Sequence, residues 1–450
     1  MQIRTVPLIL LNWMVYNRLG INDMNKYTTR DKIALVMGLT LKTKGCFVAN
    51  KILALLLKSI LLCTLIVTNA KAEEFFNNFR WNGYISQSAI YTSDNNFFGQ
   101  SGDSISFDYT ELQLLVSTTF LRNFQFSGSL LSRRAGEIDD GKPRIDHAFI
   151  DYTIFNNLDW MFSARAGRIK YPIGFYGETR DVAFTRPSLL LPQVLYVERF
   201  RDLLYTADGI GTTIRRSWGV NDLTIDLVHS TFKNEPDAES FDEVLQTDVS
   251  GDIFQNSCGA ARILFSHDGG RFRAGLTHGS VDYDINNMVT PYGINNINIF
   301  SAATVLSAEY NAKKYEIVGE YALLRNKVKN AHPFPDIDTD GIAYYLQGRY
   351  RLTDKWEFLL RGEALFMDKD DKYGEQFHAF SVARGQPISA HSRYAKGAVF
   401  GIGWHATSSI LARLEYSYNE GTGWLPAEDN TNNLLSKHWQ MVIAQVSYRF

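Results

Sequence analysis

Charged side chains of both signs are concentrated in one largely apolar segment. Residues 172–205 read PIGFYGETRDVAFTRPSLLLPQVLYVERFRDLLY. Opposed charges at close range select passing ions, and they also pair and hold a segment against its support. The sequence leaves both uses open. The charged residues of this segment are Glu178, Arg180, Asp181, Arg186, Glu198, Arg199, Arg201 and Asp202.

A histidine and a serine two residues apart form the clearest arrangement for covalent catalysis. His278 and Ser280 lie on one face of a predicted strand, where the imidazole would activate the hydroxyl as a nucleophile. The pair resembles the H-x-S element of outer-membrane phospholipases, in which Asn-Gly follows. Val281 and Asp282 follow here, and that family's barrel is smaller. We therefore interpret the match as coincidental and expect no enzyme.

Metal ligands are weakly indicated. Asp336, Asp338 and Asp340 have the spacing that opens a calcium loop, but Gln347 stands where a bidentate glutamate is needed and no helices flank the segment. A solvated external loop is the preferred interpretation. The acidic stretch Asp368–Glu375 is also expected outside, where it is a candidate for binding divalent cations that bridge lipopolysaccharide phosphates. The sequence predicts no metal site and no cofactor.

The elements that would position these residues are strands. From Tyr84 onward, runs of about ten residues alternate between apolar and charged, as in WEFLLRGEALF at residues 356–366. Alternation of this length is typical of strands that cross a membrane. We predict sixteen strands, at 82–91, 107–120, 124–134, 144–154, 159–171, 206–218, 222–232, 258–267, 271–283, 302–310, 315–327, 341–352, 356–367, 397–405, 409–419 and 437–450.

The connections between these strands alternate strictly between short and long. Short connections lie at 121–123, 155–158, 219–221, 268–270, 311–314, 353–355 and 406–408, and long ones at 92–106, 135–143, 172–205, 233–257, 284–301, 328–340, 368–396 and 420–436. Outer-membrane barrels have short periplasmic turns and long external loops. The sequence thus predicts an all-β, 16-stranded antiparallel transmembrane barrel. Its third loop, too long and apolar for solvent, is expected to fold inward and constrict the lumen.

Strand parity nominates the side chains that would line the pore. Charged residues recur on the face opposite the apolar stripe, and most of them are expected to form ordinary salt bridges along the wall. The candidates are Arg133, Arg165, Arg215, Arg273, Arg349, Arg361, Arg413, Glu316, Glu320, Glu357, Glu363 and Glu415.

An export signal precedes the predicted barrel. Residues 51–72 combine Lys51 and Lys58 with an apolar run and the A-x-A ending of a secretory signal, so cleavage is expected between Ala72 and Glu73. A membrane anchor at about 52–68 is the less favoured alternative because Lys58 lies in its middle. We interpret residues 1–50 as a spurious or disordered extension, with translation starting downstream of Met1. The barrel domain is then 73–450.

The charge of that domain disfavours nucleic acid as a partner. Residues 1–72 hold 10 basic and 2 acidic side chains, which leaves 36 basic and 46 acidic ones in 73–450. A net charge of about −10 is the opposite of a nucleic-acid-binding surface.

Residues 165–181, RAGRIKYPIGFYGETRD, resemble a strand-into-loop segment of Gram-negative porins, most nearly of the phosphate-selective O/P type. In that family a Gly-Arg-x-Lys-x-Pro-x-Gly stretch leads into the constriction loop, and Gly167, Arg168, Lys170, Pro172 and Gly174 match it. The resemblance implies a trimeric, water-filled channel, and it adds Arg168 and Lys170 to the candidate pore-lining residues. The arginine and lysine ladder on which the family's phosphate preference depends does not map onto this charge-balanced loop.

The last strand ends on an aromatic residue. Tyr448 and Phe450 lie on one period-two stripe, and the resemblance implies that such a stripe is the signal read by the barrel-assembly machinery. We therefore predict an outer-membrane porin, surrounded by lipid and lipopolysaccharide, for passive diffusion of small hydrophilic solutes or ions. The alternatives are a substrate-specific anion or phosphate channel and, less favoured, a phospholipase-like barrel enzyme.

Overall fold

The alternating segments form one closed sheet. The computed structural model describes residues 78–198, 201, 206–230, 252–290, 293–330, 336–385, 387–430 and 435–450. Within these ranges each strand pairs antiparallel with its neighbours in the sequence, and the last strand pairs with the first, Ile85 lying opposite Tyr448. The sixteen strands of the barrel are β1 (Arg80–Thr92), β2 (Tyr109–Phe120), β3 (Phe124–Ala135), β4 (Arg144–Asn156), β5 (Trp160–Lys170), β6 (Thr206–Trp218), β7 (Asn221–Ser230), β8 (Asp252–His267), β9 (Phe272–Thr290), β10 (Gly293–Asn311), β11 (Tyr315–Lys329), β12 (Ile337–Arg351), β13 (Trp356–Phe366), β14 (Tyr394–His405), β15 (Ile410–Gly421) and β16 (His438–Arg449).

The barrel has two different edges. Connections of two to four residues join the strands at one edge, which we call the turn edge, and both ends of the sheet also lie there. The opposite, loop edge carries most of the long connections. One of these contains a helix, α1 (Glu375–Ala383), and another a two-residue strand, Asp139–Asp140, that pairs with β3. The predicted barrel is confirmed in strand number, order and direction.

The outer surface is apolar and ends in an aromatic girdle. Outward side chains near the turn edge are exposed aromatic residues, as expected where a barrel meets a membrane interface. They include Trp81, Trp160, Trp218, Phe272, Tyr310, Tyr315, Tyr350, Trp356, Trp404 and Tyr448. A helix that is long and apolar enough to cross a membrane does not occur in the described ranges.

Several strands extend further toward the loop edge than predicted, and β8, β9 and β10 do so most. β8 begins at Asp252 rather than 258, while β9 and β10 remain paired up to Thr290 and Gly293. The predicted long loop at 284–301 is therefore wrong. Its inward residues Ile285 and Ile297 are buried, but the asparagines between them concealed the strand pattern.

The principal buried core lies inside the barrel. Leu189, Leu191 and Tyr196 of the third connection are almost fully buried and pack against inward side chains of the wall such as Val305 and Ile443. This connection, residues 171–205, is called loop 3 below. An inward-folded loop 3 therefore provides the apolar centre that an open barrel would lack.

The predicted signal and its cleavage residues Ala72 and Glu73 lie outside the described residues. The same is true of Arg199 and Asp202 of loop 3.

Candidate functional site in the barrel lumen

Loop 3 enters the lumen where the wall offers glycine instead of a side chain. A Cβ atom on Gly279 of β9 would collide with Cδ1 of Ile173, whereas one on Gly275 would only touch the ring of Phe175. A glycine inside a strand often marks the close approach of another segment. The inward glycines of β9 thus let the start of loop 3 lie directly on the wall.

Ion pairs fix loop 3 to β2 and β3. Arg186 lies 2.6 Å from Glu111 of β2, and Glu198 lies 2.9 Å from both Arg133 of β3 and Arg180 of the loop itself. Burial alone would raise the pKa of Glu198, but the surrounding guanidinium groups outweigh it and lower the pKa to about 2. This carboxylate remains charged at any physiological pH, so the anchor does not titrate.

A second group of charges lies where loop 3 leaves β5. The carboxylate of Asp181 contacts both Lys170 and Arg201, and Lys170 also lies 2.7 Å from Asp146. Burial opposes the ionisation of Asp181, yet the adjacent cations hold its pKa well below the usual range. Every member of the group is buried. These residues secure the loop and leave little charge for a passing solute.

Glu320 of β11 receives the opposite side of the loop. Its carboxylate accepts hydrogen bonds from Tyr196 Oη at 2.6 Å, Tyr345 Oη at 2.7 Å, Ser307 Oγ at 2.5 Å and the Phe175 backbone N–H at 2.9 Å. Two of these donors belong to loop 3 and two to the wall. Glu320 is therefore a single acceptor that joins the loop to three strands.

The wall strands β13 to β15 hold the middle of loop 3. Arg361 donates to Ser188 Oγ at 3.0 Å and to the Leu190 carbonyl at 3.1 Å, and Arg413 donates to the Arg186 carbonyl at 2.7 Å. Glu415 accepts the Leu189 backbone N–H. Because the two arginines donate hydrogen bonds to backbone carbonyls of the loop, they replace the hydrogen-bond partners that a buried loop would otherwise lack.

Three glutamates lie across β14 because glycines occupy three positions of its inward face. A Cβ on Gly397 would lie 3.2 Å from Glu363 Cγ, and one on Gly401 would lie 3.1 Å from Glu415 Cγ. On Gly403 it would lie 2.7 Å from Glu357 Cγ. Neighbouring strands therefore lay their glutamates flat along the wall, where Arg361 lies 2.7 Å from Glu363.

The loop edge is partly covered by other loops. Asp429, between β15 and β16, accepts the backbone N–H groups of Phe98, Gly99 and Glu137 at 2.8, 3.0 and 3.1 Å. Burial raises the pKa of Asp429 to about 6, although these donors favour its charged form. Trp424 packs edge-on against the ring of Phe97, 5.4 Å between centroids. Three loops are thus joined above the β1–β3 side of the lumen.

The barrel can now be compared with known structures. No protein-family model matches the chain, and no curated protein is detectably similar to it in sequence. Solved barrels match over 83% of this chain: OprB of Pseudomonas putida (TM-score 0.54, 9% identity, 95% of that chain) and OmpF of Salmonella typhi in complex with daunomycin (0.51, 12%, 97%). A trimer form of OmpT from Vibrio cholerae matches at 0.50, with 10% identity and 99% of that chain. The chain has the fold of an outer-membrane porin.

Within this porin fold, most predicted loop charges act as anchors. Arg180, Asp181, Arg186, Glu198 and Arg201 are buried in ion pairs. Glu178 is the exception among the described loop charges, since its side chain is 37% exposed and lies 2.7 Å from Arg262 of β8. The sequence had left selection and anchoring open, and the contacts favour anchoring for these five residues.

The predicted pore-lining residues other than Arg168 fall into four groups. Glu316 and Glu357 face inward and are buried in ion pairs with Arg349. Arg133, Arg361, Arg413, Glu320, Glu363 and Glu415 face inward but are covered by loop 3, and Lys170, the last residue of β5, is buried against Asp181 of the loop. Arg165, Arg273 and Arg349 face inward and remain partly exposed, with Arg165 3.2 Å from Asp151. Arg215 shares the inward parity of Thr213 and is exposed near the turn edge.

Arg168 does not face the pore. The ladder between β5 and β6 has no register shift, so Arg168 lies on the opposite face from Arg165 and shares the face of exposed Ile210. Its Nε donates to Asp208 Oδ1 across the ladder at 3.0 Å. The family motif suggested a pore-lining residue, whereas the parity of the strand, visible in the sequence, already indicated the outer face.

Several contributing residues were missed at the sequence level. Arg262 and Asp226 lie 2.7 Å apart on the inward faces of β8 and β7, and Arg351 lies 2.7 Å from Glu316. All share the inward parity of their strands, so the same rule would have found them. Glu111 also shares the inward parity of its strand, lying between Tyr109 and Gln113. Tyr196 gave no such signal, because only the path of loop 3 brings it into contact with its partners.

The enzymatic and metal motifs acquire structural roles. His278 faces outward, and its Nδ1 lies 2.9 Å from Thr304 Oγ1 on the next strand. Asp338 and Asp340 belong to strand β12 instead of the predicted loop, and both contact Arg325. No group of three potential metal ligands occurs among the residues described by the structure.

Proposed function

We propose that this protein is an outer-membrane porin through which small hydrophilic solutes and ions diffuse passively. The supporting observation is the combination of an apolar outer face with a charged inner face that remains partly accessible beside loop 3. Side chains covered by the loop, such as Arg361 at 3%, contrast with Arg273 at 32% and Glu178 at 37%. Charged side chains accessible within a barrel of this size favour a water-filled passage.

These exposures favour a solute path that runs to one side of the barrel axis. Loop 3 covers most of the inward side chains, while Arg165 of β5, Arg273 of β9 and Arg349 of β12 remain partly exposed. Loop 3 would then set the size limit by filling part of the cross-section. The export signal, the outer-membrane location and a homotrimeric assembly belong to the same proposal, and the trimer form of the matched OmpT agrees with the last of them.

Conductance in planar lipid bilayers tests this function. The purified full-length mature protein, residues 73–450, should give stepwise, ohmic currents in KCl, and neutral sugars should permeate proteoliposomes up to a size limit. Current block by a solute at low concentration would instead indicate a substrate-specific channel. Absence of conductance from correctly folded protein would refute both.

A lipid-hydrolysing enzyme is the second candidate, and the geometry gives it little support. Within the described residues His278 forms no hydrogen bond with Ser280, and its Nδ1 lies 2.9 Å from Thr304 Oγ1 instead. We therefore propose that the barrel has no catalytic activity. Phospholipase activity that disappears in Ser280→Ala would contradict this proposal.

A further inference from the structure

The accessible charge of the lumen has one sign along part of its wall. Arg273 of β9 and Glu309 of β10 form an ion pair in which the arginine side chain is 32% exposed and the glutamate 4%. Arg349 and Arg351 of β12 both contact Glu316 of β11, with exposures of 18% and 28% against 6%. In each pair the carboxylate lies behind its cation, so water meets the guanidinium group.

Other inward pairs do not show this bias. Arg165 and Asp151 are 21% and 16% exposed, and Arg262 and Asp226 are 11% and 10% exposed. A solute passing the first pair meets both signs about equally, and beside Arg262 it meets the carboxylate of Glu178, which is 37% exposed and carries the opposite sign. The excess of exposed positive charge is therefore a property of the wall formed by β9 to β12. We call this surface the arginine wall and define it by Arg273, Arg349 and Arg351.

The arginine wall lies between loop 3 and the turn edge. Arg273 is the second residue of β9, and Arg351 is the last residue of β12. Loop 3 contacts the same strands further toward the loop edge, where Glu320 receives its hydrogen bonds. The nearest part of the loop is the ring of Phe175, whose centroid lies 4.8 Å from Arg273 Cζ. A solute that has passed loop 3 meets this surface next.

We propose that the arginine wall is the main determinant of charge selectivity and makes the channel prefer small anions, although the mature chain is acidic overall. Buried, paired carboxylates contribute little to the potential in the water beside them, whereas an exposed guanidinium group attracts an anion directly. Loop 3 sets the size of the passage, and the wall of β9–β12 sets the sign. The inference rests on the proposed channel function.

Reversal potentials across a KCl gradient test the inference. The wild-type channel should be anion-selective, and the selectivity should weaken as salt is raised because exposed charges are screened. Arg273→Gln combined with Glu309→Gln removes one charge of each sign. It should still lower the anion-to-cation permeability ratio, roughly twofold at low salt. An unpaired unit charge about 10 Å from an ion path in water would change this ratio roughly fourfold, and the glutamate behind the arginine offsets part of that effect.

Two variants provide controls. Arg165→Gln with Asp151→Asn removes a balanced pair and should leave the ratio unchanged. The second pairing is removed by a triple variant, Arg349→Gln with Arg351→Gln and Glu316→Gln. This variant should lower the permeability ratio further. It also tests the inference if the Arg273→Gln, Glu309→Gln variant does not fold. Removing both members avoids leaving a buried carboxylate without its cation.

The possible failures are distinguishable. Absence of conductance from folded wild-type protein would overturn the channel function and this inference with it. A conducting but cation-selective wild type, or equal permeability ratios in the wild type and both arginine-wall variants, would overturn this inference alone.

Discussion

Glu320 should control whether loop 3 stays on the wall. Replacing Glu320 by Ala removes the acceptor for Tyr196, Tyr345, Ser307 and the Phe175 backbone N–H. A donor left unsatisfied in a buried site costs about 1–3 kcal/mol. Among the described residues, all four partners of Glu320 are uncharged hydrogen-bond donors. The substitution therefore leaves no cation unpaired.

The expected magnitude follows from these contacts. Four lost hydrogen bonds to a carboxylate would exceed 6 kcal/mol if they were additive, but water entering the vacated space would satisfy part of the loss. We expect a net cost of about 4 kcal/mol for holding loop 3 against β11. That value corresponds to a roughly thousandfold increase in the equilibrium constant for local opening.

Two measurements check this prediction. Amide hydrogen exchange of residues 173–196 should lose up to about three orders of magnitude of protection, limited by the local stability of the loop. Single-channel conductance should rise and become noisier as the loop leaves the cross-section. Glu178→Ala is the matched control, because Glu178 is an exposed carboxylate of the same loop that pairs with Arg262. Losing this exposed ion pair should cost at most about 1 kcal/mol. Exchange and conductance unchanged in Glu320→Ala would refute the assigned role.

Three further perturbations test other parts of the fold. Asp429 has a pKa of about 6 in the folded protein, above its unfolded value, so its stabilising contribution is complete below about pH 4 and is lost, by up to about 3 kcal/mol, as the pH rises through 6. Hydrogen exchange of the loops it joins, corrected for intrinsic rates, should therefore be faster at pH 7 than at pH 4.5, and Asp429→Asn should remove the difference. Deleting Phe450, whose backbone pairs with β1, should reduce the amount of assembled barrel before it alters conductance; normal assembly of the truncated protein would contradict the predicted signal. Gly279→Leu should displace Ile173 and lower stability by about 1–3 kcal/mol in denaturant titrations, whereas Gly275→Ala, where a Cβ meets only ordinary contacts, should behave like the wild type.

Strand parity predicted which wall residues face inward. The errors at Arg168 and in the hairpin of β9 and β10 arose where another signal was followed instead. Arg165, Arg361 and Arg413 lie on the inward faces of β5, β13 and β15, as parity predicts, because a residue two positions along a strand returns to the same face. Arg168 was misplaced because a family motif was given priority over parity. The hairpin of β9 and β10 was cut short because asparagine is rare in strands, and yet the pairing continues through it.

The sequence by itself determined the closed antiparallel barrel, its two edges and the presence of a long apolar loop, since each depends on a local period and on the lengths of connections. Only the tertiary structure decided what the charges do. Glu198 and Glu178 belong to the same loop, but Glu198 is enclosed by Arg133 of β3 and Arg180 of the loop itself, whereas Glu178 remains exposed. Exposure and pairing depend on the path of loop 3 across the lumen, which joins residues more than a hundred positions apart and leaves no periodic trace in the sequence.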